Sequence, residues 1–298
     1  MTRLLSLAGA FSPRWQHMRL LVTGGAGMLG QAVAAVATRL GHDVIALSRS
    51  DLDITDTDHV RRVVAAAEPR AVINCAAWTD VDGAETAEAA ATAVNGAGAG
   101  NVGRAAAEVG ARLVHVSTDY VFDGSKRTPW VESDPVGPIG AYGRSKLAGE
   151  EEVAAADGDH AIVRTAWLFG AGGRNFVDTM LALGSDRDEV DVVADEVGSP
   201  TWSAHLAEAL VEVAERRGDV GVFHAAGGGA CSWYELAVEV FARAGVRCRV
   251  LPTTAERYSR PAPRPAYSVL GTERDPAPVL PSWQDGVAGY LAEKAVMA

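Results

Sequence analysis

The feature that most constrains the fold of this chain is a glycine-rich turn that joins a short strand to a helix. An apolar run with β-branched content, Arg19–Thr23, leads directly into the turn Gly24–Gly30. An alanine-rich helix then extends to about Leu40, and a second strand follows at Val44–Leu47. Strand, glycine-rich turn, helix and strand in this order form the unit that places a pyrophosphate on a helix N-terminus. The pattern therefore predicts an α/β fold built on a doubly wound parallel Rossmann sheet.

The glycines of this turn fit two spacings of the dinucleotide-binding pattern. Either Gly25, Gly27 and Gly30 or Gly24, Gly27 and Gly30 match it. Glycine in such a turn allows the tight bend and lets phosphates approach the backbone. Both spacings place the pyrophosphate at the start of the helix.

The end of the second strand bears on the choice of cofactor. Sites for NAD usually have an acidic residue here that binds the ribose hydroxyls. This strand ends in Ser48-Arg49, and a hydroxyl beside a guanidinium suits a 2′-phosphate. The sequence therefore favours NADPH, with NADH left open; alternatively, Arg49 is a solvated loop residue. Asp53 follows and either reaches the adenine or belongs, with its acidic neighbours, to the cap of the next helix.

Three further apolar runs predict inner strands of the sheet: Ala71–Cys75, Arg112–Ser117 and Ala161–Ala166. Beyond Gly170 the regular alternation of strand and helix stops, which predicts a smaller C-terminal α/β substrate-binding region. The expected division is a flexible extension at 1–17, a dinucleotide-binding domain at 18–168 plus about 201–226, and a substrate-binding domain at about 169–200 plus 227–298.

The composition excludes several classes of partner. The 298 residues carry a formal net charge of −11, so nucleic acid and anionic membranes are not attracted by the chain as a whole. No segment of the sequence approaches the length of a membrane span. Cys75, Cys231 and Cys248 are scattered and lack metal-ligand spacing, which predicts reduced thiols, no metal centre and a cytoplasmic location. The oligomeric state is left open, with a homodimer as one arrangement.

Small and polar residues follow the predicted third strand, at the edge where ligands of open α/β sheets bind. Ala76 and Ala77 leave room for a cofactor and lead to Trp78. A helix is predicted from Glu85 to about Val109, with Asn95 in its interior. Because asparagine is a weak helix former, we expect a buried hydrogen-bonding role for this residue.

The strongest catalytic candidates lie at the start of a later helix and at the end of the fourth strand. Tyr142 and Lys146 are four residues apart, so they lie on one helix face, one turn from each other. An ammonium beside a phenol lowers the pKa of the phenol, which suits the protonation of an alkoxide formed by hydride addition. Thr118 follows the fourth strand, where its hydroxyl either binds a substrate carbonyl or caps a turn. Taken alone, the spacing of Tyr142 and Lys146 also fits a half-exposed helix face.

The order of these motifs is a glycine-rich turn after the first strand, Thr118 after the fourth strand, and then Tyr142 and Lys146. A chain with this order resembles the dTDP-4-dehydrorhamnose reductase family, within the extended short-chain dehydrogenases/reductases. The resemblance covers nearly everything from Met18 to the C-terminal segment RPAYSVLGT. The matching stretches are SRSDLDITD (48–56), VINCAAWTDVDGAE (72–85), VHVSTDYVFDG (114–124), AYGRSKLAGE (141–150), RTAWLFGAGGRNFV (164–177), DEVGSPTW (195–202) and FHAAGGGACSWYELA (223–237). Each stretch alone is unspecific, but their combination is specific.

The resemblance implies a reaction and a role for each matching residue. The reaction is hydride transfer from NADPH to C4 of a dTDP-4-keto-6-deoxyhexose, such as dTDP-4-dehydrorhamnose. Tyr142 is expected to protonate the C4 oxygen, Lys146 to lower its pKa and hold the nicotinamide ribose, and Thr118 to bind the carbonyl. The implied cofactor contacts are Gly24, Gly27, Met28, Leu29, Gly30, Ser48, Arg49, Asp53, Ile54, Ala76, Ala77, Trp78, Asn95, Tyr142 and Lys146. The implied substrate contacts are Val81, Thr118, Asp119 and Trp167 around the sugar, with Asn175 and Phe176 facing the nucleotide.

Three departures from the family pattern leave the exact sugar open. Trp78 stands where a tyrosine is usual, Glu196 replaces an amide, and Trp202 replaces a smaller aromatic residue. A ketoreductase of another dTDP-deoxysugar, such as a dihydrostreptose or antibiotic sugar, therefore remains an alternative. Arg257, Arg260 and Arg264, in a proline-rich segment that is predicted to be extended (Pro252–Pro265), either meet the diphosphate or are exposed.

Two other classes of function fit parts of the sequence. An epimerase or dehydratase with tightly held NAD fits the superfamily, but a dehydratase normally has acidic residues after the catalytic threonine, and no glutamate follows Asp119. A non-catalytic dinucleotide-binding regulatory subunit would usually have lost the tyrosine or the lysine. Tyr142 and Lys146 are both present, which favours the reductase.

Overall fold

The computed structural model describes residues 17–258 and 260–297; apart from His17, the extension predicted at 1–17 lies outside this part. The strands are β1 (Arg19–Thr23), β2 (Asp43–Leu47), β3 (Ala71–Asn74), β4 (Arg112–Thr118), β5 (His160–Thr165), β6 (Leu168–Phe169), β7 (Glu189–Val193), β8 (Val197–Gly198), β9 (Thr201–Trp202), β10 (Gly221–His224), β11 (Cys231–Ser232) and β12 (Arg249–Thr253). The helices are α1 (Met28–Arg39), α2 (Thr57–Ala67), α3 (Val81–Ala84), α4 (Glu88–Thr92), α5 (Ala99–Glu108), α6 (Ala141–Ala154), α7 (Phe176–Asp186), α8 (Ser203–Glu215), α9 (Trp233–Ala244) and α10 (Trp283–Met297).

The centre of the fold is a six-stranded parallel sheet in the order β10-β5-β4-β3-β1-β2. The inner strands are apolar on both faces, as strands covered by helices on both sides must be; every residue of β3 is buried. The chain runs from β1 outward to β2 and then returns to the other side of β1 for β3. This reversal makes a crevice at the carboxyl ends of β1 and β3, where open α/β sheets bind ligands. The predicted doubly wound parallel sheet is confirmed.

Two layers of helices cover the sheet. One face packs on α1 and α8 through a cluster that includes Val33, Leu206 and Leu210, each fully buried. The other face packs on α2, α5 and α6 through a second cluster that includes Val64 and Val102. Each such side chain contributes about 1.5–3 kcal/mol when it is removed from water. This two-sided burial leaves the carboxyl edge of the sheet as the place where a ligand can reach the strands.

The part of the chain after β5 adds three two-stranded sheets, which pair β6 with β9, β7 with β12 and β8 with β11. A third cluster joins α7, α9 and α10 to these strands. The helix α10 was not predicted, because its apolar residues form no clear stripe along one face. It packs on Trp202 through Gly286 and Gly289, where added Cβ atoms would crowd or overlap the Trp202 side chain. The division of the chain into two domains stays a prediction.

The long helix predicted from Glu85 to about Val109 is confirmed as one continuous helical run that begins at Glu88 and ends at Glu108. It consists of α4, a π-helical segment at Ala93–Gly98 and α5, and the separate turn α3 precedes it. The π segment was not predicted. A π segment inserts an extra residue into the helical repeat and turns side chains to new directions, and such segments are frequent at functional sites. Here it carries Asn95, which is 1% exposed, and directs its amide toward the loop after β3.

The segment predicted to be extended from Pro252 to Pro265 begins as the end of β12 and continues through a short 3₁₀ turn at Ala255–Arg257. No helix in the described part of the chain is both long enough and apolar enough to span a lipid bilayer.

Candidate active site

The glycine-rich turn lies at the carboxyl end of β1, directly beside the end of β3. Gly24 has φ +68°, and a Cβ there would lie 2.7 Å from the backbone nitrogen of Ala76. A Cβ on Gly30 would overlap the carbonyl oxygen of Gly24. The turn therefore needs glycine at both positions, for the left-handed backbone and for the close approach of α1. Of the two predicted spacings, Gly24, Gly27 and Gly30 agrees better with these requirements.

The start of α1 suits an anion such as a pyrophosphate. Gly27 is the cap residue, and a Cβ there would have only the Gly24 carbonyl oxygen within 4 Å, at 3.3 Å. The first helical residues, Met28 and Leu29, are uncharged, so their N–H groups and the helix dipole are left for a ligand. The space that a side chain would occupy at Gly27 is thus nearly open, and its filling by a dinucleotide phosphate stays a prediction.

The residues after β2 form a compact polar turn. The Ser48 hydroxyl donates to Asp51 Oδ2 at 2.6 Å. Arg49 is 84% exposed at its side chain and lies 3.9 Å from Asp53 Oδ2, a weak contact that leaves the guanidinium available to a phosphate. Asp53 accepts the N–H and hydroxyl of Thr55, and these hydrogen bonds lower its pKa.

The helix cap that the sequence left open is Asp56. Its Oδ1 accepts the N–H of His59 at 2.9 Å and so begins α2. Ile54 is buried against the π segment at Gly98, where an added Cβ would lie 2.9 Å from its side chain.

Asn95 ties the loop after β3 to the helix that carries Tyr142. Its Oδ1 accepts the Trp78 N–H at 2.8 Å, and its Nδ2 donates to the Trp78 carbonyl at 3.1 Å. The same Nδ2 donates to the Ser145 hydroxyl at 2.9 Å, and Ser145 donates to the Tyr142 carbonyl at 2.8 Å. The buried hydrogen-bonding role expected for Asn95 is thus confirmed, whereas a direct contact with the cofactor stays a prediction. The half-buried loop residues Ala76 and Ala77 lie next to this anchor.

Thr118, Asp119 and Tyr142 lie together past the carboxyl end of β4. Thr118 is the last residue of β4, and its hydroxyl donates to Asp119 Oδ1 at 3.0 Å while accepting the N–H of Tyr120 at 3.2 Å. Tyr142, in the first turn of α6, meets the Tyr120 ring edge to face at 5.5 Å. Burial and the charge of Asp119 raise the pKa of Tyr142 to about 12, and a hydrogen bond with Thr118 acts in the opposite direction. Burial raises the pKa of Asp119 to about 6.

Lys146 is almost fully buried one turn further along α6. Its Nζ donates to the carbonyl of Val116 in β4 at 2.7 Å, and the side chain is 2% exposed. Burial lowers the pKa of Lys146 to about 8, against the opposing charge of Glu150. The predicted lowering of the Tyr142 pKa by Lys146 is wrong in this arrangement, because the ammonium is turned toward the strand and the pKa of the phenol is set by burial, Asp119 and Thr118.

A buried ion pair below Lys146 was missed by the sequence reasoning. Glu150 accepts two hydrogen bonds from Arg164, at 2.9 and 2.6 Å, and one from the Ser117 hydroxyl at 2.6 Å. The side chains of Glu150 and Arg164 are only 6% and 4% exposed. The signal available in the sequence was the spacing, since Glu150 follows Lys146 by four residues and must lie on the same face of α6.

The residues predicted to bind substrate fall into two groups. Asp119 is 1% exposed beside Thr118, and Val81 begins the turn α3. Trp167 and Phe176 both contact Trp233. Asn175 is 8% exposed and serves as the cap of α7: its Oδ1 accepts the Asp178 N–H at 2.9 Å and its Nδ2 donates to the Gly170 carbonyl at 2.9 Å. Its predicted contact with a nucleotide stays a prediction.

Two of the three arginines of the proline-rich segment are held by carboxylates. Arg264 makes two hydrogen bonds to Asp82, at 2.6 and 3.0 Å, and Arg260 donates to Glu196 at 2.6 Å. Of the two readings that the sequence left open, plain exposure is therefore wrong for Arg264, whose side chain is 14% exposed.

Comparison with known proteins places this site in a family. The sequence model of the family described as RmlD substrate binding domain matches residues 18–296. A dTDP-4-dehydrorhamnose reductase of Mycolicibacterium smegmatis is 46% identical over 86% of this chain and 79% of its own length. A dTDP-4-keto-6-deoxy-D-glucose reductase of Streptomyces niveus is 47% identical over 85% and 88%. The crystal structure of a Bacillus anthracis dTDP-4-dehydrorhamnose reductase in complex with NADP superposes with a TM-score of 0.90 at 37% identity, covering 93% of this chain and all of that one. The resemblance inferred from the motifs is confirmed, and the chain belongs to the RmlD substrate binding domain family.

Proposed function

We propose that this protein is an NADPH-dependent ketoreductase that reduces C4 of a dTDP-4-keto-6-deoxyhexose, with dTDP-4-dehydrorhamnose as substrate and dTDP-L-rhamnose as product. The observation that carries the proposal is the placement of Tyr142 against Thr118 at the carboxyl edge of the sheet that also carries the dinucleotide turn. The named activities of the relatives at 46% and 47% identity support it. The name of the Streptomyces niveus relative also keeps a second candidate, the 4-ketoreductase of another dTDP-deoxysugar.

The proposed cofactor contacts match each part of the dinucleotide with residues of suitable polarity along the crevice. Gly24, Gly27 and Gly30, with the N–H groups of Met28 and Leu29, hold the pyrophosphate. Ser48 and the exposed guanidinium of Arg49 meet the 2′-phosphate, Asp53 and Ile54 border the adenine, and Ala76, Ala77 and Trp78 line the edge that Asn95 fixes. When bound, the reduced nicotinamide supplies the hydride for C4.

The residues of this chain then deliver the proton. Tyr142, with its pKa raised to about 12, is protonated at neutral pH and donates its hydrogen to the C4 oxygen as negative charge develops there. Thr118 orients that hydroxyl from the end of β4. Lys146 keeps a buried positive charge beside the site at pH values below about 8, and its proposed ligand contact is the nicotinamide ribose. Val81, Asp119 and Trp167 border the sugar, and Asn175 and Phe176 lie toward the nucleotide.

The proposal extends to the setting of the enzyme. We infer a cytoplasmic location from the scattered free thiols, and we retain the two predicted domains and, of the oligomeric states left open, a homodimer as parts of the proposal. Light scattering coupled to size exclusion would measure the mass of the assembly in solution. A mass of one chain at working concentration would contradict the homodimer.

The test of the reaction is spectrophotometric. We mix the protein with dTDP-4-keto-6-deoxyglucose and a 3,5-epimerase and follow NADPH absorbance. The wild type is expected to oxidise NADPH, and Tyr142→Phe is expected to lose about 10²–10⁴-fold in kcat, the usual contribution of a positioned general acid. Tyr258→Phe, at a tyrosine that is 43% exposed and whose hydroxyl donates to the Asp191 carbonyl, is the matched control. Absence of oxidation by the wild type, or equal rates for Tyr142→Phe and the control, contradicts the proposal.

A further inference from the structure

Trp167, one of the residues proposed to border the sugar, has an unusual backbone. Its φ is +46°, in the left-handed region that a bulky residue rarely adopts. Its ring lies against the backbone of Gly198, where an added Cβ would overlap the indole. A residue held in a disfavoured backbone conformation persists only where its surroundings impose it, and such residues cluster at ligand sites.

Trp233 supplies much of that constraint. Its indole stacks on Trp167 with ring centroids 3.4 Å apart and planes within 1° of parallel. Phe176 packs on Trp233 at 4.7 Å, so Trp233 joins the two aromatic residues proposed to face the substrate. The backbone below Trp233 is rigid as well, because a reciprocal capping box of Ser232 and Glu235 begins α9 at this residue.

Glu196 in turn fixes Trp233. Its carboxylate accepts the indole N–H of Trp233 at 3.0 Å with one oxygen and Arg260 at 2.6 Å with the other. Glu196 is 5% exposed, so its carboxylate is shielded from water, while the Arg260 side chain is 30% exposed. An amide at this position would keep an acceptor for the indole but would lose the ion pair with Arg260.

We propose that Glu196 and Trp233 are positioning residues that hold Trp167 against the sugar and so govern the affinity for the dTDP-sugar. The inference rests on the proposed function, because it gives Trp167 a substrate to contact. The four side chains form a continuous series of contacts: Arg260 binds Glu196, Glu196 binds Trp233, and Trp233 stacks on Trp167. These contacts are expected to act on substrate binding; besides burial, the charge of Glu196 also helps to raise the pKa of Tyr120, whose ring packs on Tyr142.

The test compares Glu196→Ala and Glu196→Gln with a matched control, Glu208→Ala. Glu208 is an exposed residue of α8 whose carboxylate pairs with Arg39. Kinetic constants are measured for the sugar and for NADPH, and affinity for dTDP-L-rhamnose is measured by calorimetry. Glu196→Ala is expected to raise KM for the sugar and Kd for dTDP-L-rhamnose about tenfold, as the loss of one charge-assisted hydrogen bond would. KM for NADPH is expected to stay within about twofold of wild type. Glu196→Gln, which keeps the indole bond, is expected to lie between wild type and Glu196→Ala.

The second readout is the near-ultraviolet circular dichroism of the stacked indoles, defined as the difference between wild type and Trp233→Phe. Glu196→Ala is expected to lose this signal and Glu196→Gln to retain most of it. The inference would be overturned if Glu196→Ala had the same KM for the sugar and the same Kd for dTDP-L-rhamnose as the control, or if it retained the indole signal. If Glu196→Ala does not fold, Trp233→Phe decides, since it must also weaken binding of dTDP-L-rhamnose. A wild type that binds dTDP-L-rhamnose without turning over the keto sugar counts against the proposed reaction alone, and one that binds neither overturns both.

Discussion

The ion pair between Glu150 and Arg164 allows the sharpest prediction about the stability of the catalytic helix. In Glu150→Gln the shape of the side chain is kept, but Arg164 becomes a buried charge without its counterion. Because the two side chains are 6% and 4% exposed, water cannot replace the lost partner, and we expect the free energy of unfolding to fall by about 3–5 kcal/mol. For a chain of this size that corresponds to a decrease in Tm on the order of 10 °C.

Urea and thermal unfolding followed by circular dichroism measure this change. The matched control is Asp43→Asn, which breaks the pair of Asp43 with Arg19, 46% exposed on both sides, and should leave the free energy of unfolding nearly unchanged. Replacing both partners by Glu150→Gln and Arg164→Met should recover much of the loss, since the uncompensated charge is removed. A Glu150→Gln protein within about 1 kcal/mol of wild type would refute the reasoning, because the pair would then behave like a surface one.

The same substitution should change the pH profile of activity. The charge of Glu150 raises the pKa of Lys146 against the larger effect of burial, and the pKa of Lys146 is about 8. If the ammonium form is required, activity of the wild type falls as the pH rises through about 8. In Glu150→Gln the fall should begin at lower pH. An unchanged midpoint in a folded variant would show that Lys146 does not titrate in this range or that its charge is not needed.

Three further predictions concern the crevice and its rim. Gly24→Ala should abolish NADPH binding, measured by cofactor fluorescence, because its Cβ would lie 2.7 Å from the Ala76 nitrogen at a φ of +68°; tight binding would contradict the assigned turn. Arg49→Ala should raise KM for NADPH about tenfold and leave KM for NADH unchanged, since only the former carries the 2′-phosphate; equal effects would contradict the 2′-phosphate contact. Asp119→Asn should remove a pH dependence of stability. Burial raises the pKa of Asp119 to about 6, so its stabilising contribution is full below about pH 4 and is lost as the pH rises through 6. The free energy of unfolding should change by about 3 kcal/mol over this range. Thermal unfolding at pH 4 and pH 7 measures it, and identical pH slopes for variant and wild type would contradict this.

The sheet was predictable because its signals are local. The apolar runs, the glycine turn after β1 and the alternation of strand and helix lie within short windows of sequence. The parallel order then follows from the handedness and length of the connections. The place of Thr118 was likewise predictable, since the carboxyl ends of parallel strands meet at one edge. Its pairing with Tyr142, which lies in the first turn of α6, was implied by the family resemblance.

What the sequence did not reveal depends on contacts between distant segments. The π segment exists together with a hydrogen-bonding arrangement between Asn95 and Trp78, two residues in different elements. The direction of the Lys146 ammonium is decided by a strand carbonyl 30 positions earlier in the chain, which helical spacing does not report. The helix α10 lacks a clear apolar stripe and is held by the shape of the surface that it covers.

The contact of α10 with Trp202 has a consequence for building hybrid enzymes from members of this family. The indole of Trp202 occupies the space left by the absent side chain of Gly289, and the Cβ of Trp202 would crowd a side chain at Gly286. A terminal segment transplanted from a relative would be accepted only with small residues at these two positions, or with a smaller ring at position 202. Trp202 immediately precedes α8, which packs on the central sheet. A poorly matched terminal segment would therefore disturb the packing of α8 as well as the junction itself. Position 202 and the terminal helix should therefore be exchanged as one cassette.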